Sequence, residues 1–286
     1  MLHAWEVGSA LLVALVTHAP ACAHAPEEDP PLYEDLLFAQ IDKEKPKPKP
    51  DFPFDDLDID DDVPFGPPPE APAMPAHTSA VQSWKSYMEG GDSESVGPPN
   101  KGKLKGARRQ PDKGRGFVRK NDHGPFGTDE TVALLTWACA RMDEMYPGTA
   151  PAVMGDISNE GGGRMRPHKS HQSGRDADVG YYFLGNVTLT HFKDASPDTL
   201  DAEKTWSLIE LFLSTQQVEY FFIDRRLQPL LYKEALARGW KEEELKKLFE
   251  APVGAQAGSG TIRHQKGHLH HLHVRFKCPE NDSRCK

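Results

Sequence analysis

Two histidines and two aspartates stand close together in the segment RPHKSHQSGRDADVG, residues 166–180. His168 and His171 are three residues apart, and Asp178 follows His171 by seven. Gly174 lies between His171 and Asp178 and permits a tight turn, which can bring the two side chains to one point. Neutral imidazoles and carboxylates are common protein ligands of zinc. The segment is therefore a candidate for one part of a metal site.

A second histidine-rich segment, HLHHLHV, covers residues 268–274. The alternation of Leu272 and Val274 with His271 and His273 predicts a strand on which both histidines point to the same side. A zinc ion with three protein ligands keeps its fourth position open, which is the arrangement of a catalytic site. The spacing alone leaves open which of the two histidines is the ligand, and the other can act as a base.

A simpler interpretation competes with the catalytic site. Five histidines lie within residues 264–273, and a tract of this composition can also bind metal weakly without catalysis. The combination of the His171–Asp178 spacing with an H-x-H strand favours the catalytic site. The sequence contains neither the H-E-x-x-H motif nor the G-x-S-x-G motif, so the common alternatives for a hydrolase have little support.

The hydrophobic pattern predicts the elements that position these residues. Thr128 is a candidate N-cap of a helix that ends before Pro147, and Asp129 and Glu130 stand in its first turn. Further helices are predicted at about 201–214, 228–238 and 241–249, and strands at 151–157, 176–183, 218–224 and 269–277. Helices and strands intermix without regular βαβ repetition. This order predicts an α+β fold, an antiparallel sheet with flanking helices and the zinc site on the sheet.

Residues 1–23 are typical of a secretory signal peptide. Their apolar run, residues 10–16, is too short to span a bilayer, and Ala21-Cys22-Ala23 provides the small residues of a cleavage site. No stretch of 18 apolar residues occurs in the sequence, so we predict no transmembrane helix. We expect an exported protein of the periplasm. Cys22 leaves an outer-membrane lipoprotein as the weaker alternative.

Residues 24–80 are predicted to be an acidic, proline-rich, disordered linker. Residues 24–64 contain 14 Asp or Glu and 4 Lys, a net charge of −10, although the whole chain carries only −9. Such a segment buries too little apolar area to offset the entropy lost on ordering. The folded domain is therefore expected at residues 81–286.

A basic stretch covers residues 101–120, with nine Lys or Arg and one Asp. Charge alone allows a nucleic-acid partner, but no recognition helix or interleaved aromatic residues accompany it, so none is predicted. A solvent-exposed, glycine-rich loop is the favoured interpretation. Contact with an anionic cell-wall polymer comes second.

Cysteine usage fits an exported protein. Cys278 and Cys285 are separated by the turn-like sequence PENDSR and can form a small disulfide loop. Cys139 lies on the first predicted helix among apolar residues, which indicates a buried thiol.

Two segments resemble the penicillin-insensitive murein endopeptidases. They are GDISNEGGGRMRPHKSHQSGRDADVGYYF and GHLHHLHVRFKCP, and the similarity extends from about Ser95 to the end of the chain. These enzymes are part of a wider group of zinc metallopeptidases that includes D-Ala-D-Ala dipeptidases, lysostaphin-type endopeptidases and the hedgehog domain. Asp176 stands where the wider group often has a small residue.

The resemblance implies a catalytic zinc ion with three ligands, which are His171, Asp178 and His273. It implies that His271 is the catalytic base and that His168 and His268 line the site as further catalytic residues. It also implies the substrate, the D-alanyl–diaminopimelate cross-link of peptidoglycan, cleaved by a metal-activated water.

Two other functions remain open from the sequence. A D,D-carboxypeptidase or dipeptidase would use the same zinc site and differ only in the shape of its pocket. A zinc-containing cell-wall binding module would keep the metal without catalysis, although the presence of His271 beside the three ligands favours an enzyme. The sequence makes no prediction of the oligomeric state.

Overall fold

A computed structural model of the chain describes residues 83–120, 123–250 and 260–286. The predicted signal peptide and the whole of the predicted linker lie outside these residues and stay predictions. Within the described ranges, no helix combines the length and the apolar character needed to cross a membrane.

The described residues form short strands and four α-helices. The strands are β1 (Glu94–Val96), β2 (Lys103–Lys105), β3 (Arg108–Arg109), β4 (Lys113–Gly114), β5 (Phe117–Arg119), β6 (Phe126–Gly127), β7 (Ala152–Met154), β8 (Asp176–Gly180), β9 (Val218–Phe222), β10 (Ile262–Arg263) and β11 (His271–Phe276). The helices are α1 (Asp129–Met145), α2 (Ala202–Ser214), α3 (Gln228–Ala237) and α4 (Glu242–Leu248), preceded by a 3-10 helix at Ser83–Tyr87. The α+β prediction is confirmed.

Seven strands form the main sheet in the order β10-β9-β11-β8-β7-β5-β4. The strands from β9 to β7 pair antiparallel, as predicted. The pairs β10–β9 and β5–β7 are parallel, so the sheet is mixed, and the predicted antiparallel pairing holds only for its centre. A parallel pair requires a crossover connection. Helix α1 provides it between β5 and β7, and α3 and α4 provide it between β9 and β10.

Helix α1 forms at the predicted place. The Thr128 side chain accepts a hydrogen bond from the backbone N–H of Thr131, which caps the first turn. The apolar residues of α1 pack into the core together with those of α2. Cys139 is a fully buried free thiol, as predicted, and burial raises its pKa far above the usual range.

The basic stretch 101–120 is not a loop, which corrects the prediction. It folds into β2 to β5, and β5 joins the main sheet beside β7. Leu104 and Phe117 are buried, while Lys103 and Lys105 on either side of Leu104 are exposed. Single apolar residues alternate here with charged ones, as in a half-buried strand, and the many neighbouring charges made this alternation hard to recognise in the sequence. Gly114 is required beside Phe117, because a Cβ atom there would lie 2.3 Å from the ring.

The disulfide between Cys278 and Cys285 is present, as predicted. It follows β11 directly and holds the C-terminal segment against β1, where the Gly97 N–H donates to the Arg284 carbonyl oxygen at 2.9 Å. The N–H of Ser95 donates to the Asp282 carboxylate at 2.7 Å.

Replacing both Cys278 and Cys285 by serine is expected to lower the free energy of unfolding by about 2 kcal/mol, because a short closed loop restricts the unfolded chain modestly. Urea unfolding of the variant checks this value. The wild-type protein, unfolded under reducing conditions, should show the same loss. Equal unfolding midpoints for the variant and the oxidised protein would mean that the bridge contributes no stability.

Candidate metal centre

The two histidine-bearing segments meet at the pairing of β8 with β11. Their antiparallel register places His273 opposite Asp178 and Arg275 opposite Asp176. Residues two apart on a strand share a face, so these four side chains lie on one side of the sheet. The His271–Phe276 strand is buried along its whole length. The site therefore lies on the sheet, in the interior of the fold.

Three side-chain atoms form a nearly equilateral triangle. His171 Nε2 lies 3.1 Å from His273 Nδ1 and 3.2 Å from Asp178 Oδ1, and His273 Nδ1 lies 3.2 Å from the same oxygen. Tetrahedral zinc with bonds of about 2.0–2.1 Å requires about 3.3 Å between neighbouring ligand atoms. The three atoms therefore have the spacing of a zinc site without any rearrangement.

Each histidine of the triangle is oriented through its second ring nitrogen. His171 Nδ1 lies 2.9 Å from the Ile157 carbonyl oxygen, which can only accept, so Nδ1 bears the proton. His273 Nε2 lies 3.0 Å from Asp176 Oδ1 and donates in the same way. In its neutral form, each imidazole consequently presents a lone pair to the centre of the triangle, as metal ligands do.

Asp178 provides an independent test of whether a metal fits. Both of its carboxylate oxygens are buried, and among the described residues neither accepts a hydrogen bond of good geometry. Buried carboxylates without such a partner are rare in native proteins. A cation within the triangle would satisfy them, and the N, N, O donor set is one that zinc accepts.

The electrostatics of the site also favour a positive charge. Burial opposes the charged form of His171, but the charge of Asp178 outweighs it and raises the His171 pKa to about 9. Burial likewise opposes the charged form of Asp178, yet His171 and His271 hold its pKa well below the usual range. Without a metal, a proton therefore compensates the carboxylate.

His168 reaches the same carboxylate from a different direction. Its Nδ1 lies 3.9 Å from Asp178 Oδ2, and its Nε2 lies 2.9 Å from Asp156 Oδ2. His168, His171 and Asp178 together also have the spacing of a metal-binding group. The geometry thus contains two sets of three candidate ligands, which share His171 and Asp178 and differ in the third histidine.

His271 and His268 border the triangle. His271 Nε2 lies 3.4 Å from Asp178 Oδ1, and its ring centre lies 4.9 Å from that of His268. Burial and the neighbouring His271 and His273 lower the pKa of His268 to about 3, so this ring is neutral. Its Nδ1 donates to the Gln265 carbonyl oxygen at 3.1 Å, which leaves Nε2 as an acceptor. All six sequence-predicted residues are therefore brought together.

Comparison with known proteins identifies the family. A model of the penicillin-insensitive murein endopeptidases matches residues 95–286. The chain belongs to this family. It is 27% identical over 217 residues to the penicillin-insensitive murein endopeptidase of Haemophilus influenzae, a match that covers 69% of this chain and 68% of the relative. It is 24% identical over 230 residues to that of Klebsiella pneumoniae strain 342, covering 74% and 77%. The resemblance inferred from the motifs is confirmed.

The segment matched to the murein endopeptidase family contains all six histidine and aspartate residues predicted from the sequence. The acidic segment 24–80 lies before the match. The chemistry expected of a murein endopeptidase therefore belongs to the part of the chain that carries the triangle.

Three residues near the site escaped the sequence prediction. Asp176 accepts a hydrogen bond from His273 Nε2, and Asp156 contacts His168 directly after β7. Phe192 stacks on the ring of His271 with 4.9 Å between ring centres and 15° between planes. Both aspartates are charged residues at the ends of apolar strands, a sequence feature that can indicate a functional site. Phe192 comes from an irregular segment with no pattern, and its position depends on Gly155, where a Cβ would lie 2.5 Å from its ring.

Proposed function

We propose that this chain is a zinc-dependent endopeptidase that hydrolyses D-alanyl–diaminopimelate cross-links of peptidoglycan. The observation that supports it best is the triangle of His171, Asp178 and His273, in which the buried Asp178 carboxylate accepts no hydrogen bond of good geometry among the described residues. Membership of a murein endopeptidase family makes a peptide bond of peptidoglycan the natural substrate. The nature of the metal and of the cross-link is part of the proposal.

We assign the zinc ligands to His171 Nε2, Asp178 and His273 Nδ1. His168 fits less well as a ligand, because its Nδ1 is 3.9 Å from the nearer Asp178 oxygen, against 3.2 Å for His273. A bound zinc ion supplies a Lewis acid and lowers the pKa of water to about 7.

We assign the general base to His271. Its Nε2 faces the same space as the triangle, where it can take a proton from the attacking water and pass it to the leaving amine. Phe192 stacks on one face of the His271 ring, and His270 Nδ1 lies 2.5 Å from His271 Nδ1. Both contacts hold the plane of the His271 imidazole. These contacts fix the direction in which Nε2 of His271 points.

The two remaining histidines receive different roles. His268 is neutral with Nε2 as an acceptor, so it is unsuited to donate to a developing oxyanion. His168 is paired with the Asp156 carboxylate, and Lys120 Nζ lies 3.5 Å from the same carboxylate. When protonated, His168 presents Nδ1 to the site as a donor. We therefore assign oxyanion stabilisation to His168 and substrate contact to His268.

The location follows from the substrate. We propose that the chain acts in the periplasm after export by residues 1–23, and that residues 24–80 tether the catalytic domain, residues 81–286. Lipidation at Cys22 is the alternative route to the same compartment.

Digestion of purified muropeptides tests the proposed activity. The zinc-loaded protein is expected to convert D-alanyl–diaminopimelate cross-linked dimers into monomers, and removal of the metal by a chelator should abolish the conversion. A carboxypeptidase would instead release terminal D-alanine from uncross-linked pentapeptides. A binding module would retain the dimers without producing any monomer. Either of these last two results would overturn the endopeptidase assignment.

A further inference from the structure

We propose that Asp176 is a positioning residue that orients both histidine ligands of the metal site. Arg275 in turn holds the Asp176 carboxylate in place. The proposal rests on the ligand set assigned above. It concerns a residue that touches neither the metal nor the substrate and acts through His171 and His273.

The two aspartates of the D-A-D sequence have opposite surroundings. Asp178 accepts no hydrogen bond of good geometry among the described residues, although imidazole nitrogens lie beside it. Asp176, completely buried, has polar partners on both oxygens. Oδ1 accepts from His273 Nε2 at 3.0 Å and from Arg275 Nε at 2.7 Å, and Oδ2 accepts from the His171 backbone N–H at 2.9 Å. Asp178 is thus available to a cation, and Asp176 is not.

Asp176 acts on each histidine in a different way. By accepting from His273 Nε2 it fixes the proton there and leaves the Nδ1 lone pair for the metal. By accepting from the His171 backbone it holds that residue in the left-handed conformation, with φ of 62°, which a non-glycine residue rarely adopts. The side chain of His171 points into the triangle from this conformation.

The strand register explains why Arg275 is needed. Arg275 stands directly opposite Asp176 on the neighbouring strand, just as His273 stands opposite Asp178. A buried carboxylate requires a compensating charge, and the guanidinium provides it through a fixed, planar contact. Arg275 therefore keeps Asp176 as an acceptor directed at the histidines.

The test is the zinc affinity of Asp176→Asn, measured by competition with a chromophoric chelator. The variant is similar in shape but loses the charge and one acceptor oxygen. Loss of an outer hydrogen-bond partner typically weakens metal binding about 10–100-fold, and we expect a loss in this range. The visible spectrum of the cobalt-substituted protein should also change, because the ligand geometry changes. The matched control is Asp201→Asn, which alters another buried aspartate, at the N-cap of α2, and should leave both readouts unchanged.

A second variant keeps the test decisive if Asp176→Asn does not fold. Arg275→Lys retains the charge but loses the planar contact with Asp176, so its zinc affinity should fall in the same direction by a smaller factor. Wild-type affinity and an unchanged cobalt spectrum in either folded variant would overturn the positioning role. Failure of the ligand assignment itself would be recognised separately, because His273→Ala would then keep its zinc.

Discussion

Replacing His273 by alanine is expected to remove bound zinc and peptidase activity together. Its Nδ1 is one corner of the triangle, 3.1 Å from His171 Nε2 and 3.2 Å from Asp178 Oδ1. Only two of the three assigned ligands then remain, and the loss of zinc affinity should exceed the roughly 10–100-fold effect of an outer partner. Metal analysis after dialysis and digestion of cross-linked muropeptides measure the two losses in one preparation.

The same experiment on His171→Ala and Asp178→Ala should give the same result. Lys247→Ala, an exposed position on α4, is the control for handling losses and should retain one zinc per chain. His168→Ala should also retain zinc, because His168 is assigned to catalysis and not to the metal. Full zinc occupancy in all three ligand variants would refute the site.

His271→Ala is expected to keep its zinc and to lose most of its activity. A positioned general base contributes about 10²–10⁴ in rate, so cleavage of the cross-link should fall by at least about two orders of magnitude. The zinc content should stay near that of the wild type, since His271 is not one of the three assigned zinc ligands. Metal analysis and the initial rate of dimer cleavage separate the two effects.

Two other outcomes for His271→Ala would change the assignment. A metal-free His271→Ala, together with a His273→Ala that retains zinc, would exchange the roles of the two histidines. Full activity of His271→Ala would require another base, and His268 and His168 are the neighbours that could replace it. Of these two, His268 has its Nδ1 donating to the Gln265 carbonyl oxygen, which leaves its Nε2 as an acceptor.

The strand that bears His271 and His273 was predictable because its pattern is local. Alternation of apolar and histidine residues places both imidazoles on one face, and Gly174 allows His171 to approach Asp178. The choice between Asp176 and Asp178 was harder, because both lie on the same face of β8. Only the register with β11 places Arg275 opposite one and His273 opposite the other. Register depends on long-range pairing, which a single sequence does not reveal.

The errors in the predicted fold also arise from long-range packing that the local sequence does not show. The basic residues around Leu104 and Phe117 suggested a solvated loop, although these two side chains are buried and the segment forms strands. The parallel pairs at the margins of the sheet depend on how helices cross over, not on strand composition. Phe192 reaches His271 through an irregular segment, so its contact follows from tertiary packing around Gly155.

Anomalous X-ray scattering at the zinc edge, recorded from crystals of the zinc-loaded protein, locates the metal among the candidate ligands. The assigned ligand set predicts a single peak about 2.0–2.2 Å from His171 Nε2, an Asp178 carboxylate oxygen and His273 Nδ1. His168 should remain bonded to Asp156, and Asp176 should remain bonded to His273 Nε2 and Arg275. A peak bound by His168, His171 and Asp178, with His273 outside the coordination sphere, would contradict it.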